Sequence, residues 1–248
     1  MSGREAASGG LPGEWIQVAG RRFFLRRVGT GGPSIVFEAG GASSSAMWWP
    51  LQDRLADLTT VVAYDRAGLG WSDPAPLPRS IEDRTADLHA VLTTAGIPPP
   101  YVLVGLSYGG PLIRLFAARH PELVAGLVFV DIPHEAVFAS PGAMTYLRRS
   151  VRMLRFAAAV AATGLLRLLR IRGLGQPPTA LPFSDAQQKA LHTRYPTSRS
   201  LRTGADEFES MLRIEHVMQR LGVVGSLGNL PVSVLSHGKP FPGPFAVL

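Results

Sequence analysis

Apolar residues in this chain fall into short unbroken runs, set apart by stretches in which they recur every three or four positions. The unbroken runs are Ser34-Ile35-Val36-Phe37-Glu38, Val61-Val62-Ala63-Tyr64, Val102-Leu103-Val104, Val124 to Ile132 and Pro231 to Ser236. They are short, rich in β-branched residues and apolar on both sides, so they predict buried strands. The periodic stretches, Leu51 to Leu58, Ile81 to Ala95 and Leu112 to Arg119, predict amphipathic helices. Ser80, with Asp83 three residues on, comes close to a capping box for the second helix. His120-Pro121 stops the third. Upstream, Trp15 to Val18 and Phe23 to Arg27 flank Ala19-Gly20-Arg21-Arg22 and read as a hairpin. Strands alternating with helices predict an α/β fold with a mostly parallel sheet, helices on both faces and right-handed crossovers.

After Glu135 the pattern changes. Met144 to Leu169 has helical spacing, with arginines among Leu, Val and Ala and an unusually apolar patch from Phe156 to Leu166. Gly173 to Pro182 is a Gly/Pro-rich break, and Asp206 to Leu221 is another amphipathic stretch. The chain therefore divides into a core at 1–135, a helical insertion at 136–221, and a return to the core at 222–248.

One stretch carries chemistry. Val102 to Leu106 runs directly into Ser107-Tyr108-Gly109-Gly110-Pro111, placing a Gly-x-Ser-x-Gly turn between a strand and a helix. At such a corner the serine sits on a strained turn with its hydroxyl clear of the sheet. Glycines two before and two after let neighbouring backbone pass close by. Ser107 is the first candidate for a nucleophile. A second loop of small residues, Ala39 to Ser45, follows the strand ending at Glu38, where its backbone N–H groups can face a bound group.

Composition narrows the partners. With 46% hydrophobic and 17% charged residues the chain is not a disordered one. Without cysteine it has no disulfide, thiol catalysis or Cys-ligated metal. The net charge of +7 comes from arginines that are spread out, with no aromatic-interleaved basic stripe and no helix-turn-helix pattern, so no nucleic-acid partner is expected. Met1 to Trp15 has no apolar centre, and no apolar run reaches the roughly 18 residues of a membrane helix. The expectation is a cytoplasmic protein. Neither Gly-x-Gly-x-x-Gly, nor a P-loop, nor a metal-ligand histidine cluster is present, so no cofactor and no metal are expected.

Together, Phe37-Glu38-Ala39-Gly40-Gly41, Tyr64-Asp65-Arg66-Ala67-Gly68-Leu69-Gly70-Trp71-Ser72, Gly105-Leu106-Ser107-Tyr108-Gly109-Gly110 and Leu127-Val128-Phe129-Val130-Asp131 resemble the α/β-hydrolase superfamily in order and spacing, over about Trp15 to Glu135. Within it, the serine-hydrolase branch of esterases and lipases is the most similar. Two departures are Ala39-Gly40, where the family commonly has His-Gly, and Leu106, where it often has His. The resemblance implies that 136–221 is a helical cap, or lid, shaping the pocket of a small-molecule substrate. A basic amphipathic helix lying on a membrane surface is the other reading of Met144 to Leu169. It implies cleavage of an ester or related acyl bond through an acyl-enzyme on Ser107. The oxyanion would be held by the N–H groups of Tyr108 and Gly41. A serine, rather than an aspartate, argues against the dehalogenase and epoxide-hydrolase chemistries of this fold. Asp131 occupies an alternative family position for the acid that orients the base, and it can equally be a structural loop residue.

The base is the missing piece. The family order is Ser, then acid, then a His on a loop after the last strand. Here only His237 follows Ser236, and no such loop, last strand or last helix follows it. His134 stands three residues after Asp131, His120 ends a helix, His89 lies within one, and His192 and His216 fall in the insertion. The alternative is thus a truncated or degenerate hydrolase that binds a small ligand without turnover. An unpaired strand at Val232 to Leu235 would also make the chain prone to self-association.

Overall fold

The computed structural model describes residues 4–6, 11–132, 141–165, 168, 183–185, 187–188, 197–220, 222 and 227–236. Eight strands form one sheet: β1 (Arg4–Ala6), β2 (Glu14–Val18), β3 (Arg21–Val28), β4 (Ser34–Glu38), β5 (Val61–Tyr64), β6 (Tyr101–Leu106), β7 (Val124–Val130) and β8 (Val232–Leu235). Their spatial order is β1-β2-β3-β5-β4-β6-β7-β8. β5, β4, β6, β7 and β8 run parallel, while β1, β2 and β3 meander antiparallel along one side. The predicted hairpin is β2–β3. Its two turn residues, Ala19 and Gly20, both have positive φ (46° and 76°), the two-residue connection whose twist matches the strands it joins. The short β1 was not predicted: it lies in a small, Gly-rich segment with no apolar alternation.

The core helices are α1 (Trp49–Leu55), α2 (Ile81–Thr94) and α3 (Gly109–Arg119). The capping box at α2 is complete, with Ser80 Oγ accepting from the Asp83 N–H and Asp83 accepting from the Ser80 N–H. Alternate strand residues point to opposite faces of the sheet. Val36, Val62, Leu103 and Leu127 meet Leu88, Val91, Ile113 and Phe116 of α2 and α3. Phe37, Val61, Ala63 and Val104 pack on the other face with Trp48 and, beyond it, Leu55 of α1. Helices therefore cover both faces, as predicted.

Between β7 and β8 come α4 (Pro141–Ala162), α5 (Ser198–Met211) and α6 (Ile214–Arg220). The stretch expected as one helix over Asp206 to Leu221 is two, and the first begins at Ser198. Thr197 and Ser200 form a reciprocal capping box there. The sequence pattern hid this turn because Ser198-Arg199-Ser200 is polar and Gly204 interrupts the apolar period. Leu147, Met211, Ile214 and Met218 join Tyr108, Leu112 and Leu115 in one apolar cluster, seating α4, α5 and α6 on α3. α4 buries Ala143, Leu147, Val151 and Ala158 but exposes Met153 and Phe156. No helix among the described residues is long and apolar enough to cross a membrane.

Candidate active site

The carboxyl ends of β4, β6, β7 and β8 lie side by side, and the sequence-predicted site residues sit in the loops that leave them. Ser107 follows β6 with φ 48°, a left-handed conformation uncommon for a residue with a side chain. Its N–H donates to Val130 O at 3.0 Å, and its carbonyl accepts from the Gly110 N–H at 3.0 Å. The corner closes so tightly that only glycine fits on either side. A Cβ on Gly105 would come 2.8 Å from the Gly109 carbonyl carbon, and one on Gly109 would come 2.6 Å from Glu38 O. This is the geometry that the Gly-x-Ser-x-Gly spacing predicts.

Leu106 is in register with Val130, so the residues that follow them, Ser107 and Asp131, leave adjacent strands at the same level. Asp131 also has positive φ (45°), and its N–H donates to Leu235 O at 2.8 Å, joining this loop to the end of β8. Tyr108 is the first residue past the serine. Its side chain is fully buried, and its hydroxyl is 3.0 Å from Ser210 Oγ on α5. Burial, only partly offset by Arg84, pushes the phenol up to about 12. Gly41 lies in the loop after β4, beneath the ring of Phe208 from α5. Among the described residues, neither the Tyr108 nor the Gly41 N–H has a backbone or side-chain acceptor, which leaves both as donors for an outside oxygen.

Neither His89 nor His120 reaches this end of the sheet. His120 caps the far end of α3, which puts it a whole helix, about 16 Å, from Ser107. His89 stacks on His120 at 4.2 Å between ring centroids, so it shares that position. His216 is exposed on α6. His134, His192 and His237 lie outside the described residues.

Sequence reasoning missed the ionic core beneath the site. Arg66, in the loop after β5, donates to Glu38 Oε1 at 2.5 Å, to Ala39 O at 2.7 Å and to Gly40 O at 2.8 Å. It also holds both oxygens of Glu207 on α5, at 2.7 and 3.0 Å. Glu207 Oε2 accepts in turn from the Ala42 N–H at 2.8 Å. Arg84 Nε is 3.6 Å from Glu207, and its Nη2 is 2.6 Å from Asp206. Glu38, Arg66 and Glu207 are all essentially inaccessible to water. Burial pushes the Glu38 carboxyl up in spite of Arg66. Burial alone would lower Arg66, but Glu207 and Glu38 outweigh it and hold the guanidinium protonated. The motif around Arg66 was visible in the sequence; its partner on α5 was not, because 141 residues separate them.

A cavity of about 520 Å³ lies between α4, α5 and Leu77-Pro78, lined in part by Arg155, Ala158, Arg202, Asp206 and Glu209. None of Ser107, Tyr108, Gly41 or Asp131 lines it, and Arg155 pairs with Glu209 at its wall. It is a gap between helices of the insertion, away from the candidate chemistry.

The family model described as the alpha/beta hydrolase fold matches residues 33–224. The chain belongs to that family. The YqjL protein of Bacillus subtilis is 36% identical over 105 residues, 42% of each chain. The 2-(acetamidomethylene)succinate hydrolase of Mesorhizobium japonicum is 32% identical over 125 residues, 46% of this chain and 45% of that one. Each match thus covers less than half the length of the relative concerned. Among solved structures, Cfl2 of Burkholderia cenocepacia superposes with a TM-score of 0.68 at 19% identity, over 94% of this chain and 91% of that one. The haloalkane dehalogenase DbeA of Bradyrhizobium elkani USDA94 gives 0.66 at 19%, over 90% and 79%. At these identities the structures speak for the fold alone.

Proposed function

We propose that the protein is a serine hydrolase that cleaves an ester or related acyl bond of a small molecule. The observation that carries this reading is Ser107 at φ 48°, held at the corner between β6 and α3 where no larger residue fits beside it. Its Oγ attacks the acyl carbon, and the developing oxyanion is met by the N–H groups of Tyr108 and Gly41. The base takes the Ser107 proton and passes it to the departing alcohol or amine as the tetrahedral intermediate collapses to the acyl-enzyme, and water, deprotonated in turn, then releases the carboxylic acid and restores the serine hydroxyl. Asp131, level with the serine on the neighbouring strand, is the acid that orients the base. The base is not assigned, and His134 and His237 are the two candidates for it. The helices between β7 and β8 act as a cap over the serine, with the Phe208 ring beside Gly41. Hydrolases among the relatives, such as the 2-(acetamidomethylene)succinate hydrolase, support hydrolysis in general. A dehalogenase reading has less support, because a serine stands where that chemistry needs a carboxylate.

The test is intact mass after a fluorophosphonate probe, in which the serine Oγ displaces fluoride and the protein gains one phosphonyl group. The expected result is a single adduct that Ser107→Ala abolishes, along with hydrolysis of short acyl nitrophenyl esters. Loss of the adduct in His134→Ala or in His237→Ala identifies the base. An adduct that persists in Ser107→Ala places the nucleophile elsewhere. The position of His89 and His120 at the far end of α3 from the serine favours a second reading, a hydrolase-fold protein that binds its ligand without turnover. No adduct on correctly folded wild type would select it.

A further inference from the structure

We infer that Glu207 is a positioning residue for the oxyanion loop, so that seating of α5 sets the direction in which the Gly41 N–H points. The inference rests on the reading of Ser107 and Gly41 given above. A peptide unit is planar and trans, so its C=O and N–H point in opposite directions. The unit linking Gly40 to Gly41 has its oxygen fixed on Arg66 Nη2 at 2.8 Å, which fixes the Gly41 N–H the other way. The next N–H, that of Ala42, is held by Glu207 at 2.8 Å. Arg66 cannot swing away, because Glu38 and Glu207 grip it from two sides and Ala39 O takes a further N–H. The Gly40 oxygen also accepts from the Ser43 N–H at 3.2 Å, so of the three groups that orient Gly41 two, Arg66 and Glu207 itself, depend on one carboxylate 165 positions away from Ala42.

The packing around Glu207 serves the same end. Gly204, one turn earlier on α5, lets the helix lie directly on Ala42, since a Cβ there would come 2.6 Å from the Ala42 Cβ. Ala42 itself holds a left-handed φ of 59°, a conformation that the flanking bonds must maintain. Thr203 closes against Gly68 in the Arg66 loop in the same way. If α5 lifts, Ala42 loses its acceptor and Arg66 loses one of two carboxylates. The oxyanion loop then loses its fixed orientation and Tyr108 loses Ser210, while the Ser107 backbone keeps its bonds to Val130 and Gly110. Seating of α5 and readiness of the Gly41 donor are in this way one event.

The experiment compares Glu207→Ala and Glu207→Gln with Asp206→Asn, a neighbour that belongs to the ion chain through Arg84 but does not touch the loop. Amide exchange at Gly41 and Ala42, read by NMR, reports the loop without using activity. In Glu207→Ala it should rise at least tenfold and the Gly41 resonance should shift, with Glu207→Gln in between and Asp206→Asn unchanged. Fluorophosphonate kinetics supply the second arm. Loss of a preset oxyanion donor costs about 10²–10³ in rate, so Glu207→Ala should slow phosphonylation by at least about tenfold with the probe's binding constant within about twofold. Unchanged exchange and chemical shift at Gly41 in Glu207→Ala would overturn the inference. So would equal losses in Glu207→Ala and Asp206→Asn that track their melting temperatures. A wild type that the probe never labels refutes the serine reading instead, and the exchange arm still decides the role of Glu207.

Discussion

The small residues at the serine corner leave no room for substitution. A Cβ on Gly109 would stand 2.6 Å from Glu38 O, and backbone cannot yield as a flexible side chain can. Gly109→Ala should therefore cost about 1–3 kcal/mol, the range of overpacked sites. It should also cut fluorophosphonate labelling per folded molecule at least tenfold, because the corner opens to make room. Thermal melting and labelling on the same sample check both. Asp131 separates differently. If it orients the base, Asp131→Asn should lower turnover by up to about 10⁴ with the melting temperature nearly unchanged. A fall in melting temperature with turnover per folded molecule intact would make it a structural loop residue. Ser107, Tyr108 and Asp131 were legible in the sequence because a local motif and strand ends specify them. Arg66 was legible as part of a motif, but its task was not, and Glu207 was silent. A glutamate on an amphipathic helix looks like a solvated one until the fold brings Arg66 and Ala42 to it.

Among the elements, α2 and α3 were read almost to their ends, since apolar spacing, a capping box and a proline stop agree there. α5 was half missed because its apolar period is broken by Gly204, the residue that its packing on Ala42 requires. α2 and the far end of α3 carry a feature no spacing announces, the stacked rings of His89, within α2, and His120, at the C-cap of α3. Phe116 packs on both rings, and Arg119 and Glu122 are the nearby charges. Burial, then His89, hold His120 below its ordinary value of 6.5, with Glu122 opposing. The unfolded chain thus takes up this proton at a higher pH than the folded one. The contribution to stability is intact above about pH 6.5 and is lost as pH falls through the lower, folded value. Melting temperature should drop as pH falls below 6.5 in the wild type, and His120→Gln should flatten that part of the curve. A curve of the same shape in both would remove His120 from the account.

For the molecule as a whole, the two sides of the sheet differ. One is finished by the antiparallel meander, whereas among the described residues nothing pairs with the far side of β8. Val234 and Leu235 there are 68% and 57% exposed. Such a strand is a template for another copy. Concentration-dependent self-association is expected in light scattering, and Val234→Lys should raise the concentration needed at least tenfold. A monodisperse wild-type monomer at about 100 μM would count against it. The tie between Ala42 and Glu207 spans 165 positions, and it has a consequence in time. Everything up to Ile132, the serine corner included, leaves the ribosome before the partner of Arg66 and Ala42 exists. At about 5–20 residues per second the 75 residues from Pro133 to Glu207 take roughly 4–15 s to synthesise. A nascent chain that folds its first strands in that interval holds Ser107 at its corner with the Gly41 loop still untied, so on the proposed reading the protein is shaped before it is competent.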